Sequence, residues 1–157
     1  KDLIIRGGHN VDPALIEEAL LGNKSVAFAG AIGQPDQKTG EMPCVYVELV
    51  EGSSVTTEEL LKFCEENVPE RAAHPKYVEI MDELPKTAVG KIFKPDLRKR
   101  AIIRIFNKAL EDAGLEARVD HVEDNKTKGL VAKITPEDSD DAVKKAIGDF
   151  LEVWERI

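Results

Sequence analysis

Pro85-Lys86-Thr87-Ala88-Val89-Gly90-Lys91 ends on a lysine and is bounded by a proline and a glycine. Proline fixes φ and glycine admits backbone angles closed to other residues. The segment therefore predicts a tight turn that holds an ammonium outward. A lysine held in this way is a compact point charge for a phosphate or carboxylate oxygen. The spacing is not the phosphate-cradling GxxxxGK[ST] pattern. Read alone, it fits a plain turn with a solvated lysine as readily as a site. Gly7-Gly8, followed by His9-Asn10, permits either a hairpin turn or the close approach of a ligand. His9, His74 and His121 are scattered without metal-ligand spacing, so no metal site is read from the sequence.

The elements that would carry these residues follow from periodicity. Residues 2–12 read as two short strands around the glycine pair. Asp12 caps a helix with Pro13 at its first position, and Gly22 ends it. Residues 25–33 read as a strand with Val26, Phe28 and Ile32 on one face and Ala27, Ala29 and Ala31 on the other. Residues 44–50 read as a second strand, Val45, Val47 and Leu49 opposing Cys44 and Tyr46. Thr56 with Glu59 forms a capping box for a helix carrying Leu60, Leu61, Cys64 and Val68. Lys76–Met81 is a third strand. Pro95 opens a long helix that Gly114 stops, its exterior basic at Arg98, Lys99, Arg100, Arg104 and Lys108. That stripe reads as a solvated face or as a phosphate-facing surface.

Residues 114–157 read as a ββα extension, Ala117, Val119 and His121 alternating in its first strand. Its helix is expected to run from Thr135-Pro136 with Val143, Ile147, Phe150, Trp154 and Ile157 along one side. So small a unit needs a surface to pack on, either the rest of the chain or a second copy. The expected fold is α+β: a small three-stranded sheet flanked by helices, with an N-terminal β-hairpin and the ββα extension.

The chain has 157 residues, 42% of them hydrophobic, and a net charge of −8. This is the composition of a globular protein, and the acidic balance argues against nucleic acid as a partner. No apolar run approaches membrane-spanning length and no signal peptide is visible. Cys44 and Cys64 fall in apolar patterns, as buried thiols in a reducing, cytoplasmic compartment would. The opening Lys1-Asp2-Leu3-Ile4, without an initiator methionine, suggests an excised piece of a longer protein.

Three stretches together resemble one family. Pro75-Lys76-Tyr77-Val78-Glu79-Ile80 with Leu84-Pro85-Lys86-Thr87 and Gly90-Lys91 is similar to the last core motif of the AMP-forming acyl-CoA synthetases. The superfamily includes luciferases and peptide-synthetase adenylation domains. Lys1-Asp2-Leu3-Ile4-Ile5, Gly7-Gly8-His9-Asn10-Val11 and Pro13…Ile16-Glu17 resemble the hinge and glycine loop that open the C-terminal domain of those enzymes. Gly33-Gln34-Pro35-Asp36 with Gly40-Glu41 resembles their GxPD…GE connection. Ala73-His74 stands where the family has an aromatic-lysine pair, which weakens inference about contacts from that loop.

The resemblance implies a mobile C-terminal domain over residues 1–113 that works with an N-terminal adenylation domain. That enzyme converts a carboxylic acid and ATP, with Mg2+, to an acyl-adenylate and passes the acyl group to CoA. ATP and Mg2+ would be bound mainly by the N-terminal domain. By the same resemblance Lys91 is catalytic, Pro85, Thr87 and Gly90 support its loop, and Lys1 and Asp2 form the hinge. Gly7, Gly8, His9 and Asn10 line the pantetheine path, and a lysine acetyltransferase could act on Lys91. Two other readings stay open: a peptide-synthetase adenylation domain, and a non-catalytic module that dimerises through residues 114–157.

Overall fold

The computed structural model describes residues 2–157. β1 (Ile4–Arg6) and β2 (His9–Val11) form a hairpin around Gly7-Gly8, with Ile4 opposite Val11 and Arg6 opposite His9. Gly7 takes a φ of +58°, the left-handed angle that glycine alone adopts without strain. α1 (Pro13–Leu21) starts as expected: the Asp12 side chain accepts from the Ala14 N–H, proline fills the first turn, and Gly22 caps the end. β3 (Val26–Asp36) and β4 (Gly40–Leu49) form a long antiparallel hairpin. α2 (Thr57–Asn67) opens on the Thr56–Glu59 capping box, and a 3-10 turn (Arg71–Ala73) leads to β5 (Val78–Ile80). β5 runs parallel to β4, and β1 pairs with the start of β4 at Gly40. The result is one five-stranded sheet containing the expected three strands and the hairpin.

Helices cover both faces of this sheet. On one face Val45 and Val47 pack with Ile16 and Leu20 of α1 and Leu60 and Cys64 of α2. On the other, Cys44 and Tyr46 pack with Leu97 and Ala101 of α3 (Lys94–Asp112). A bulge at Ala27 corrects the expected faces of β3. The ladder pairs Val26 with Leu49 but Phe28 with Glu48, so one extra residue reverses the alternation. Val26 therefore joins Ala29 and Ala31 beneath α1 and α2, while Ile32 faces α3. The close approach of α3 is made at Gly30. A Cβ there would lie 2.8 Å from Leu97 Cδ1 and 2.9 Å from Ile92 Cγ2.

α3 passes out from under the first sheet and carries the second. β6 (Val119–Asn125) and β7 (Gly129–Ile134) are antiparallel, α4 (Asp140–Ile147) follows, and β8 (Val153–Arg156) returns parallel to β7. Two expectations are corrected here. The last helix starts later, at the Ser139 cap, and ends at Gly148, so Trp154 lies in a strand and the extension is ββαβ. A bulge at Asp120 turns His121 to solvent and buries Val122. Ile102, Phe106 and Leu110 of α3 are buried against Val119, Ala132, Val143 and Ile147, and the Phe106 and Phe150 rings stack at 4.9 Å. The apolar stripe of α4 is thus spent inside the molecule, as burial of such a face requires.

Candidate functional site

The lysine-bearing turn is built by local hydrogen bonds. The Thr87 N–H donates to the Lys91 carbonyl at 2.7 Å, and the Gly90 N–H donates to the Thr87 carbonyl at 2.9 Å. The Lys91 N–H donates to Thr87 Oγ1 at 3.2 Å, so Thr87 braces the turn through both backbone and side chain. Gly90 sits at φ +86°, where a Cβ would be strained. The Phe93 N–H donates to the Pro85 carbonyl, and Lys86 faces Ile92 across a bridge. The turn is thus held by hydrogen bonds to Thr87 and to the Pro85 carbonyl, with Gly90 in a left-handed conformation.

Its two lysines have different surroundings. The Lys86 ammonium donates to Glu48 Oε1 at 2.8 Å and lies 4.3 Å from the centre of the Phe28 ring. Among the described residues Lys91 has no side-chain partner, and it is exposed. It lines an open groove of about 720 Å3 with Asp2, Glu17, Thr87, Lys94 and Arg98. Asp2, the second expected hinge residue, lines the same groove as Lys91. Lys1 lies outside the described residues.

The glycine turn faces elsewhere. Gly7, Gly8, His9 and Asn10 are all exposed. The Gly7 N–H is held by the Thr39 carbonyl at 2.8 Å. Gly8 has nothing within 4 Å of where a Cβ would stand, and its φ is not positive. Among the described residues, then, neither a Cβ contact nor φ requires glycine at position 8. His9 borders a second groove of about 590 Å3 with Arg6, Arg71, His74 and Lys76. Arg6 donates to the Ala72 carbonyl and His74 Nε2 contacts the Val68 carbonyl, which shapes this wall. Arg71 and Lys76 are exposed and make no ion pair among the described residues. The two concavities share no lining residue, so the lysine loop and the glycine turn border different grooves.

The basic stripe of α3 meets partners that its periodicity does not show. Each of its cations is already engaged within the chain. Arg98 pairs with Asp2, Lys99 with Asp124, Arg100 with Glu79 and Lys108 with Asp112. The Arg104 guanidinium lies 3.4 Å over the Tyr77 ring and donates to Gln34. Sequence periodicity located these side chains on one helix but not the distant partners Asp2, Gln34, Tyr77, Glu79 and Asp124 that meet them. The same holds for Arg71 and Lys76, whose grouping beside His9 depends on the 3-10 turn.

Cys44 and Cys64 are free and buried; burial pushes their thiols up to about 12 and about 11. Neither is a nucleophile at neutral pH. Among the described residues no cluster of three or more His, Cys, Asp or Glu could hold a metal ion. No described helix is long and apolar enough to cross a membrane.

Residues 15–91 match the family described as AMP-binding enzyme C-terminal domain. A marinolic acid–CoA ligase from Pseudoalteromonas sp. is 40% identical over 134 residues, 84% of this chain and 20% of that protein. A match of that length cannot fit within residues 1–113, so it runs into the second sheet. A 2-succinylbenzoate–CoA ligase from Bacillus cereus is 44% identical over 98 residues, 62% of this chain and 20% of that protein. Apo MatB from Rhodopseudomonas palustris superposes with a TM-score of 0.58 at 32% identity, covering 62% of this chain and 19% of that one. The chain thus spans about a fifth of the length of the relatives it matches.

Proposed function

The chain belongs to the AMP-binding enzyme C-terminal domain family, and we propose that it is the mobile lid of an acid–CoA ligase. In this reading residues 1–113 form the lid and residues 114–157 an appended lobe that rides on α3. The whole enzyme activates a carboxylic acid with ATP and Mg2+ and transfers the acyl group to CoA. The nucleotide and the acid are held mainly by an N-terminal adenylation domain, and the chain alone is inactive.

Adenylation joins two anions. The substrate carboxylate attacks the α-phosphate, pyrophosphate leaves, and negative charge gathers on the oxygens between them. Lys91 supplies the fixed positive charge that this step needs. The observation that carries the reading is the contrast within one loop: Lys86 is neutralised by Glu48, while Lys91 is presented without a partner on a braced turn.

In the second step the CoA thiol attacks the acyl-adenylate and AMP leaves. Lys91 is no longer required, and rotation of the lid about Lys1 and Asp2 brings the glycine turn to the reaction centre. Gly8, open on its outer side, leaves room for the pantetheine arm. The groove with Arg71 and Lys76 beside His9, which Glu65 also lines, lies next to that path and carries two cations with no ion pair among the described residues. It suits the phosphates at the other end of CoA.

Acetylation of Lys91 would remove its charge and stop adenylation. Mass spectrometry after treatment with a protein acetyltransferase should find the modification at Lys91 rather than at the engaged Lys86. The deciding experiment for the lid reading is Lys91→Ala in the full ligase. Adenylate formation should collapse while thioester formation from supplied acyl-adenylate continues. Equal loss of both steps refutes the division of labour.

A further inference from the structure

The groove around Lys91 contains an ion-pair network joining three parts of the chain. Asp2 precedes β1, Glu17 lies in α1, and Lys94 and Arg98 lie in the first turns of α3. Asp2 Oδ2 accepts from Lys94 Nζ at 2.7 Å, and Asp2 Oδ1 accepts from Arg98 at 2.6 Å. Lys94 Nζ also lies 2.8 Å from Glu17 Oε2, which accepts the Ala31 N–H of β3 at 2.9 Å. Lys94 thus stands between two carboxylates, one anchored to the sheet and one on the segment leading into the domain.

Lys94 is the third residue after Lys91, and the Phe93 N–H between them is fixed to the Pro85 carbonyl. The position of Lys94 therefore sets the base of the Lys91 turn. Asp2, by contrast, has no fixed partner other than Lys94 and Arg98 among the described residues. Asp2 and Arg98 are about half and a third exposed, 47% and 37%. Ion pairs so open to solvent add little to stability. What they do provide is orientation, because each carboxylate oxygen has its own cation.

We propose that Asp2, Lys94 and Arg98 form a latch that fixes the leading segment of the domain to the base of the Lys91 turn. Lys94 and Arg98 are then positioning residues that act on adenylation through Lys91. This rests on the reading of the chain as a lid with Lys91 as its catalytic lysine. With the latch closed, any turn of the leading segment is transmitted to Lys91 as part of one body. With it open, Lys91 keeps its charge but loses its fixed placement relative to the rest of the enzyme. A misplacement on the ångström scale is enough to slow a reaction that depends on alignment.

Two measurements test this. On the present chain, the NMR titration of the Asp2 carboxyl should move up toward the ordinary aspartate range in Lys94→Met and in Arg98→Met. An unmoved midpoint in both variants means that no latch exists in solution. In the full ligase, Asp2→Asn and Arg98→Met should each slow adenylate formation by about tenfold. Thioester formation from supplied acyl-adenylate should be unchanged in Arg98→Met. The double variant should be no slower than either single one, since both remove the same contact, and Asp2→Glu should keep most of the rate. Additive losses, equal loss of both half-reactions in Arg98→Met, or no loss of adenylation would overturn the latch. If Lys91→Ala in the same enzyme left adenylation intact, the lid reading would fail instead, while the titration would still report on the ion pairs.

Discussion

Lys86 donates to the Glu48 carboxylate at 2.8 Å across the gap between the loop and β4, and the same Glu48 oxygen accepts the Leu84 N–H at 2.9 Å. One side chain thereby anchors the start of the loop and neutralises its first lysine. The second lysine, Lys91, is left to face outward. A loop with two lysines becomes a loop with one structural and one available charge.

The two should separate on mutation. Lys91→Ala should slow adenylate formation by roughly 10²–10³, the scale for losing one preorganised donor. It should leave the thermal midpoint unchanged. Glu48→Ala should do the reverse in kind: it strands the Leu84 N–H and should cost about 1–3 kcal/mol of stability. Stopped half-reactions and thermal unfolding of both variants check the pair.

Gly7 and Gly8 should also separate. A Cβ at position 8 meets no atom within 4 Å and needs no unusual φ, so Gly8→Leu should fold with unchanged stability and still form adenylate. Its thioester step should be blocked. Gly7→Ala forces a side chain to φ +58° and should cost roughly 1–2 kcal/mol. Normal CoA turnover by Gly8→Leu would remove the pantetheine role of the turn.

Arg71→Ala with Lys76→Ala should raise the KM for CoA several-fold while leaving the KM for dephospho-CoA nearly unchanged. The variant should keep the native circular dichroism spectrum, because neither residue makes an ion pair among the described residues. Equal effects on both thiols would place the CoA 3′-phosphate elsewhere.

The two sheets should unfold together. α3 buries Leu97 and Ala101 in one core and Ile102, Phe106 and Leu110 in the other. Phe106→Ala should cost roughly 3–5 kcal/mol. Trp154, the sole tryptophan, reports on β8; its fluorescence and far-ultraviolet circular dichroism should give coincident transitions in urea. Separate transitions would mean that the lobe folds independently of the lid.

Acid should act on the second sheet through Glu155. Hydrogen bonds from Lys128 and Lys133, with their charges, hold its carboxyl down to about 2 from an ordinary 4.5. A group lowered in the folded state stabilises fully above its unfolded value and loses that contribution as protons bind. The loss should therefore run from about pH 4.5 down to about 2. His121 has the opposite sign. Glu123 and Asp120 accept from its ring and raise its pKa above 6.5. Its contribution is complete below pH 6.5 and is lost as pH rises through the folded value. NMR titration of Glu155 in Lys133→Met should show the midpoint moving up.

Elements governed by near neighbours in sequence were legible. The Asp12–Pro13 start and Gly22 stop of α1, the Thr56–Glu59 box of α2 and the glycine hairpin stand where the residues place them. Each is set by hydrogen bonds reaching only a few positions along the chain. The bulges at Ala27 and Asp120 were not legible. Alternation along one strand carries no sign of a skipped partner on the other, and a single extra residue exchanges the faces. β8 was missed for a related reason. Phe150, Trp154 and Ile157 continue a helical spacing from Val143 and Ile147, and only Gly148 and the open edge of β7 end it.

The sequence by itself determined which family the chain belongs to, which lysine stands at the tip of its loop and where a glycine turn lies. Those are properties of residue type and short spacing. The tertiary structure alone decided which charges remain available. Arg98 and Lys99 look like unpaired cations until Asp2 and Asp124 reach them. Lys86 looks like Lys91 until Glu48 arrives from β4. Whether a cation can act depends on the acid that folding places beside it, and those acids lie tens of residues away in the chain.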